Sequence, residues 1–423
     1  MKPRLTTLCS AVLSLGTSLV VSAADNPSAA AQAVNALGLD LLAKGTDANT
    51  NALLSPYSIQ SALAMTYAGA AGETRTQMAK VLHYPEDETA LHQSFTDLQK
   101  ALEAVTKTTA ERAKIAKDQG GPGEPFVLTV ANRLFGQDGY AFRQPFLELV
   151  KDRYRAPLEM MDFIHNADKE RLKINGWVEE QTHKRIRDLI PANGLNDETR
   201  LVLVNAIYMK APWAETFSEG TTQPLPFQVK GTETLKVPTM RRTAHMGYAQ
   251  REGYQVITVP YIGGDMQLLV LLPDAKDGLA AMEAKVTPDI LSGCAKPGTS
   301  EVELFLPRFK MEPPLFKLGK VLCSLGMAGA FDKPQGSANF DRMAPRKPND
   351  YLYISEVFHK TFLALDEKGT EAAAATAVVM MRATAFIEKP KPLEVRVDRP
   401  FLFAIQHRPS GTCLFLGRVT DPR

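Results

Sequence analysis

The stretch DEKGTEAAAATAVVMMRATAFIEKPKP, residues 366–392, has no clear secondary-structure preference, although patterned strands flank it on both sides. Eight of the nine residues from Thr370 to Val378 are small or β-branched, and Glu371 carries the single charge. Alanine favours a helix and the Thr-Ala-Val-Val run favours a strand, whereas the Pro-Lys-Pro end favours neither. Composition alone therefore leaves the structure of this segment undecided.

The alternation of side chains in this stretch supports the strand interpretation. In an extended strand, every second residue faces the same side of a sheet. One alternating set has no charge, being small at its start and larger towards its end: Thr370, Ala372, Ala374, Thr376, Val378 and Met380. A charge in that set would cost several kcal/mol if it were buried unpaired. The same residues also permit an alternative, an exposed alanine-rich helix capped by Thr370.

The rest of the chain predicts a mixed α+β class. Helical periodicity dominates the first half, for example over residues 24–50 and 89–119, and strand patterns dominate from residue 221 onwards. The apolar run at 199–213 predicts a strand buried on both faces. A single helix is expected within 313–327, and strands are expected across 352–371. No linker is long or polar enough to divide the chain into domains.

The first 23 residues have the order of a secretory signal sequence. Two basic residues precede an apolar stretch, and small residues follow at 21–23. We expect cleavage after Ala23, a secreted or periplasmic location, and one domain over residues 24–423. An uncleaved membrane anchor and a lipoprotein-type Cys9 are the alternatives. No other run approaches the ~20 apolar residues of a membrane span.

Composition and motifs exclude several function classes. The net charge is only +2, which argues against a general nucleic-acid binder. Known nucleophile, zinc, phosphate and dinucleotide motifs are absent from the sequence, so we expect neither an enzyme nor a bound cofactor or metal. The basic residues between Lys100 and Lys117 alternate with acidic ones, which favours a solvated helix face over a polyanion site.

The cysteine pattern does not predict disulfides. Beyond Cys9 there are three cysteines, Cys294, Cys323 and Cys413, and none has a C-x-x-C spacing. Cys323 and Cys413 lie in apolar patterns typical of core thiols. An exported protein with few cysteines is consistent with a bacterial origin.

Four stretches, in the same order along the chain, resemble the serpin family of serine protease inhibitors. They are NALLSPYSIQSALAMTYAGAAGETRTQM (51–78), LVLVNAIYMKAPWAETF (201–217), VFHKTFLALDEKGTEAAAATA (357–377), and VRVDRPFLFAI with LFLGRVTDP (395–405 and 414–422). The resemblance covers essentially all of residues 30–423. It implies a mixed α+β serpin fold with three β-sheets, eight or nine helices and an exposed reactive-centre loop.

The resemblance also implies a mechanism, that of a suicide inhibitor. A target protease would cleave the loop as a substrate and form an acyl-enzyme. The freed loop would insert into the large sheet as a strand and distort the attached protease, so the native fold would be kinetically trapped. The implied partners are serine proteases, with cysteine proteases as a further class, and the inhibitor is expected to be monomeric, with no nucleic-acid or membrane partner. The alternative is a non-inhibitory member that acts as a binding or chaperone protein.

The family spacing assigns site residues in this chain. The scissile bond is either Arg382-Ala383, suited to trypsin-like enzymes, or Ala383-Thr384, suited to elastase-like enzymes. The hinge comprises Glu367, Gly369, Thr370, Glu371, Ala372, Ala373, Ala374, Ala375 and Thr376. The region where the sheet opens comprises Ser55, Ser58, Asn205, Trp213, Arg308 and His359.

Three details of these assignments carry their own expectations. Arg308 is expected to pair with Glu367. The pattern around His359 alone favours a satisfied core histidine, whereas the resemblance favours a residue that gates sheet opening. Ala211-Pro212 replaces the glycine-containing turn of the family, so the geometry before Trp213 is open.

Overall fold

A computed structural model describes residues 27–118, 124–229, 233–371 and 391–423. These ranges contain nine α-helices: α1 (Ala29–Gly45), α2 (Pro56–Gly69), α3 (Gly72–Val81), α4 (Glu88–Asp118), α5 (Gln144–Tyr154), α6 (Phe163–Gln181), α7 (Leu279–Glu283), α8 (Pro288–Gly293) and α9 (Gly319–Leu322). The six longest precede residue 182, as the helical periodicity predicted. No helix in the described ranges is both long and apolar enough to cross a membrane.

The same ranges contain seventeen strands, most of them in the second half of the chain. They are β1 (Ala52–Leu54), β2 (Val127–Gln137), β3 (Leu158–Met161), β4 (Leu201–Pro212), β5 (Gln223–Val229), β6 (Glu233–Arg251), β7 (Tyr254–Pro260), β8 (Met266–Pro273), β9 (Thr299–Pro307), β10 (Phe309–Met311), β11 (Phe316–Lys317), β12 (Phe358–His359), β13 (Leu363–Asp366), β14 (Gly369–Thr370), β15 (Leu393–Arg396), β16 (Phe401–His407) and β17 (Thr412–Val419).

The described strands form three sheets. A nine-stranded sheet has the order β1-β17-β16-β8-β7-β6-β9-β15, and β5 pairs with β6. A six-stranded sheet has the order β10-β13-β14-β4-β2-β3, and β11 pairs with β12. This arrangement of helices and sheets confirms the predicted mixed α+β class.

The core lies where the helices cover the nine-stranded sheet. Every residue of β8, β16 and β17 is buried, which explains their nearly continuous apolar sequences. Helices α1 and α2 both contact β17. Helix α2 begins sharply because Pro56 occupies its first turn and the Ser55 hydroxyl accepts a hydrogen bond from the Ser58 amide.

Among the described strands, one edge of β4 is paired over only a short part of its length. Its other edge pairs continuously with β2, from Val127 opposite Lys210 to Gly136 opposite Leu201. On the incomplete edge, the only described partner is β14, which lies opposite Ala211 and Pro212. We use "the opening" for the gap between the edge of β4 over residues 201–210 and the chain over residues 351–362.

Two local predictions were wrong. The expected single helix within 313–327 is divided into β11, α9 and a wide helical turn over Cys323–Met327, because Gly326 has a φ of 117° that interrupts a regular helix. The expected strand over 352–357 has no regular structure. A strand requires hydrogen-bonded partners, and no described strand pairs with this segment across the opening.

Candidate functional site at the opening of the six-stranded sheet

The opening leads to a cavity below the hinge. The cavity has a volume of about 420 Å³ and lies between α2, β4 and the irregular chain before β12. Its lining includes Ser58, Leu203, Ile354 and His359. A strand edge such as that of β4, which has no described partner beside this space, can accept an extended segment through main-chain hydrogen bonds.

The hinge enters the sheet at the top of the opening. Gly369 and Thr370 form β14, which is antiparallel to both β13 and β4. Gly369 has a φ of 147°, and a Cβ atom there would lie 2.1 Å from the carbonyl oxygen of Ala211, so glycine is required. Ala211 and Pro212 continue β4 opposite these two residues, which settles the geometry before Trp213.

Thr370 is anchored by Tyr261, which in turn stacks on Trp213. Its hydroxyl lies 2.6 Å from the hydroxyl of Tyr261, and Thr370 is buried. The Tyr261 ring stacks on Trp213, with centroids 4.6 Å apart and an interplanar angle of 3°. The indole of Trp213 donates a hydrogen bond of 2.9 Å to the carbonyl oxygen of Asp366. The sequence reasoning missed Tyr261, because 109 residues separate it from Thr370 and no local pattern links them.

The turn between β13 and β14 is held by charged groups. Arg308 Nη1 lies 3.5 Å from Glu367 Oε2, so the expected ion pair is present in the structure. The Thr222 hydroxyl donates a 2.6 Å hydrogen bond to the other oxygen of Glu367, a contact that the sequence did not suggest. Asp366 accepts hydrogen bonds from the amides of Lys368 and Gly369 at 2.8 and 3.3 Å. The hinge therefore leaves β13 through a fixed turn.

His359 connects the opening to the start of α2. Its Nε2 accepts a 3.0 Å hydrogen bond from the Ser55 amide. Burial lowers the pKa of His359 to about 4, so the imidazole is neutral near pH 7 and can act as this acceptor. The Ser55 hydroxyl donates to the carbonyl oxygen of Leu414 at 2.8 Å. His359 is thus a satisfied buried histidine that also lies beside the opening.

The remaining predicted site residues divide into two groups. The backbone of Asn205 lies on β4 opposite Asn132, and Ser58 lies in the first turn of α2. Glu371 is the last described hinge residue, and its amide donates a 2.9 Å hydrogen bond to Ala364. The rest of the expected hinge (372–376), both candidate scissile bonds (382–384) and the expected reactive-centre loop lie outside the described residues, as does the expected signal sequence (1–23). Their assigned roles stay predictions.

The described residues that line the opening include no cysteine. In the part of the chain that the structure describes, no cluster of three His, Cys, Asp or Glu side chains could hold a metal ion. Cys294 and Cys413 are buried free thiols, and burial raises the pKa of Cys294 to about 11. Such thiols are poor nucleophiles at neutral pH.

Comparisons with known proteins agree with this geometry. A family profile described as "Serpin (serine protease inhibitor)" matches residues 32–422. An uncharacterised serpin-like protein of Thermococcus kodakarensis is 35% identical, over 92% of this chain and 85% of its own length. The leukocyte elastase inhibitor of Bos taurus is 36% identical, over 88% of this chain and 93% of its own.

A solved structure is similar over almost the whole chain. The structure titled "Cleaved Serpin 42Da" has a TM-score of 0.76 and 29% identity, and the match covers 94% of this chain and 99% of that one. The residues matched by the family profile include the described strands of all three sheets and the chain that lines the opening. The chain belongs to the serpin family.

Proposed function

We propose that this protein is a suicide-type inhibitor of serine proteases, which acts by cleavage and insertion of its reactive-centre loop. The observation that carries the proposal is the position of Gly369 and Thr370. They already occupy the top of the slot between β4 and β13, and the edge of β4 below them has no described strand partner. The next strand positions in that slot are therefore open to the residues that follow the hinge.

The direction of the hinge side chains supports the proposal. Thr370 faces the interior, where it contacts Tyr261. In a strand that continues from it, the residues of the same alternating set would face the interior too. That set carries no charge, so its burial would leave no charge unpaired.

The energetics favour insertion. From Leu201 to Lys210, this edge of β4 pairs with no strand of the described residues. Filling the slot would form about ten ladder hydrogen bonds, which at about 1 kcal/mol each contribute on the order of 10 kcal/mol before any apolar burial. Release of this free energy after cleavage would trap the acyl-enzyme before it deacylates.

The target class follows from the residues at the scissile bond. Cleavage after Arg382 would suit trypsin-like proteases, and cleavage after Ala383 would suit elastase-like proteases. The similarity to a leukocyte elastase inhibitor adds weight to the second class. Cysteine proteases are a further class because they also act through an acyl-enzyme.

The test is to mix the purified protein with a panel of trypsin-like, elastase-like and cysteine proteases. The expected result is a covalent complex that survives denaturing electrophoresis, and the sequence of the released fragment identifies the bond. Cleavage without any covalent complex would overturn the inhibitor proposal. It would favour the second candidate, a non-inhibitory binding or chaperone protein on the same fold.

Export by a bacterial cell is a separate part of the proposal. It rests on the order of charged, apolar and small residues over 1–23. Expression in a Gram-negative host, followed by fractionation and mass measurement, should give a periplasmic product that begins at Ala24. A full-length cytoplasmic product would contradict it. The mature protein is expected to elute as a monomer.

A further inference from the structure

Glu371 is where the hinge stops following the sheet. Its amide still bonds to Ala364 of β13, but its φ is 53°, so the chain turns away from the extended direction. A residue other than glycine is uncommon in this left-handed region. The side chain of Glu371 is nevertheless almost fully buried, with 4% exposure. A carboxylate buried to this extent requires polar or charged partners.

Two side chains from different parts of the chain hold the Glu371 carboxylate. Arg185, in the segment that follows α6, forms an ion pair with it. The hydroxyl of Tyr208, on β4, lies close to the same carboxylate, since burial and the nearby Glu371 charge together raise the pKa of Tyr208 to about 12. The Arg185 guanidinium also lies over the ring of Phe362, 5.0 Å from its centroid. Phe362 directly precedes β13, so these contacts connect the two sides of the opening.

The strand register shows what these contacts obstruct. Thr370 lies opposite Leu365 on one side and Ala211 on the other. If the same register continued, the strand position two residues beyond Glu371 would lie between Phe362 and Tyr208. These are the two side chains that the Arg185–Glu371 pair joins. The pair therefore spans the slot at the level that the next residues would have to enter.

We propose that Arg185, Glu371 and Tyr208 form a clasp that holds the uncleaved hinge at Thr370 and keeps the following residues out of the sheet. These three are positioning residues, since they do not contact the bond that a protease would cut. The inference rests on the proposed function, because a clasp of this kind matters only if the loop inserts. Its effect is to set how far insertion proceeds before cleavage.

The electrostatics make the clasp depend on Arg185. Burial raises the pKa of Glu371, and Arg185 lowers it in opposition. The other titratable groups around the clasp are His183 beside Tyr208, Lys210 on β4, which pairs with Glu124, and Lys310 of β10, which lies 5.4 Å from the Phe362 ring centroid. Removal of Arg185 would leave a buried carboxylate without its main compensating charge, which strongly disfavours the state that buries it.

The sign of the pH effect follows from this balance. Because burial raises the pKa of Glu371, the clasped state binds a proton more readily than a state in which Glu371 is in water. Lowering the pH therefore favours the clasp, and raising it through that pKa weakens the clasp.

A four-variant comparison tests the clasp. R185Q should shorten the half-life of uncleaved inhibitory activity by about tenfold, because the clasped state then buries an unpaired carboxylate. Adding E371Q removes that carboxylate and should return the half-life to within about twofold of the wild-type value. R187Q, on the same segment, is the matched control and should not change it. If R185Q does not fold, Y208F takes its place. Y208F should also shorten the half-life, by a smaller factor than that expected for R185Q.

Two results would overturn the clasp: an R185Q half-life equal to that of R187Q, or no rescue by E371Q. Hydrogen–deuterium exchange of the uncleaved protein gives a second readout without any protease. Protection along β4 should develop faster in R185Q than in R187Q as the slot fills, and equal rates would overturn the proposal. The proposed function is judged separately, on whether the wild-type protein forms a covalent complex.

Discussion

The hydroxyl groups of Thr370 and Tyr261 lie 2.6 Å apart, although 109 residues separate them in the chain. Through this contact the first residues of the hinge are joined to the sheet before any loop cleavage. The Tyr261 ring is in turn stacked on Trp213, which binds the carbonyl oxygen of Asp366. The start of the hinge is thus docked at the top of the opening, above the part of β4 that pairs with no described strand on that side.

Removing the Tyr261 hydroxyl should loosen this docking. In Y261F the buried Thr370 hydroxyl loses its partner, which should lower the free energy of unfolding by about 1–2 kcal/mol. Urea unfolding followed by circular dichroism measures the change. Y248F is the control, because the Tyr248 hydroxyl bonds to Gln250 at an exposed site. Equal effects of the two substitutions would contradict the anchoring role of Tyr261.

Gly369→Ala should displace the hinge from the sheet. The added Cβ would lie 2.1 Å from the carbonyl oxygen of Ala211, and no side-chain rotation can relieve that contact. The chain has two tryptophans, so a Trp177→Phe background leaves Trp213 as the only indole fluorophore, directly beside the hinge. We expect its emission to shift in G369A. In G176A it should not, because a Cβ at Gly176 meets no atom within 4 Å.

His359 should make the protein less stable in mild acid. Burial lowers its pKa to about 4 in the folded state, whereas an unfolded histidine titrates near 6.5. Its contribution to stability is full above pH 6.5 and is lost as the pH falls from 6.5 towards 4, on the order of 3 kcal/mol in total. Thermal unfolding measured across this range should show the loss.

A comparison of two buried histidines isolates that contribution. His407 is also buried with a pKa lowered to about 4, so it adds its own loss over the same range. H359Q should remove the part of the acid-induced loss of folding stability that comes from His359. H407Q should remove a part of similar size. An unchanged profile in H359Q would mean that this histidine does not titrate as its burial requires.

In the proposed mechanism, a charge in the interior-facing set of the hinge should turn the protein from an inhibitor into a substrate. Ala372 belongs to the alternating set that begins at Thr370, so A372R would place an unpaired charge in the sheet during insertion. The number of inhibitor molecules consumed per protease molecule should rise steeply. A375R, in the opposite set, should raise it less. Equal values for A372R and A375R would contradict insertion in the register set by Thr370.

The sequence was sufficient for features that depend on local patterns. The apolar run ending at Trp213 predicted β4, because that signal lies within a few consecutive residues. The contacts of Tyr261, Thr222 and Arg185 with the hinge could not be predicted, since each joins distant parts of the chain. The chain over 352–357 has a strand pattern without a strand, because pairing needs a neighbour and the slot beside it is not filled by any described strand.

The central claim is that loop cleavage allows a strand to enter the six-stranded sheet, and thermal unfolding before and after cleavage tests it most directly. The protein is cut within residues 377–388 by a protease that does not remain bound, and both forms are heated under the same conditions. Insertion with about ten new ladder hydrogen bonds predicts an unfolding midpoint more than about 10 °C higher after cleavage. A midpoint that is unchanged or lower after cleavage would contradict the account.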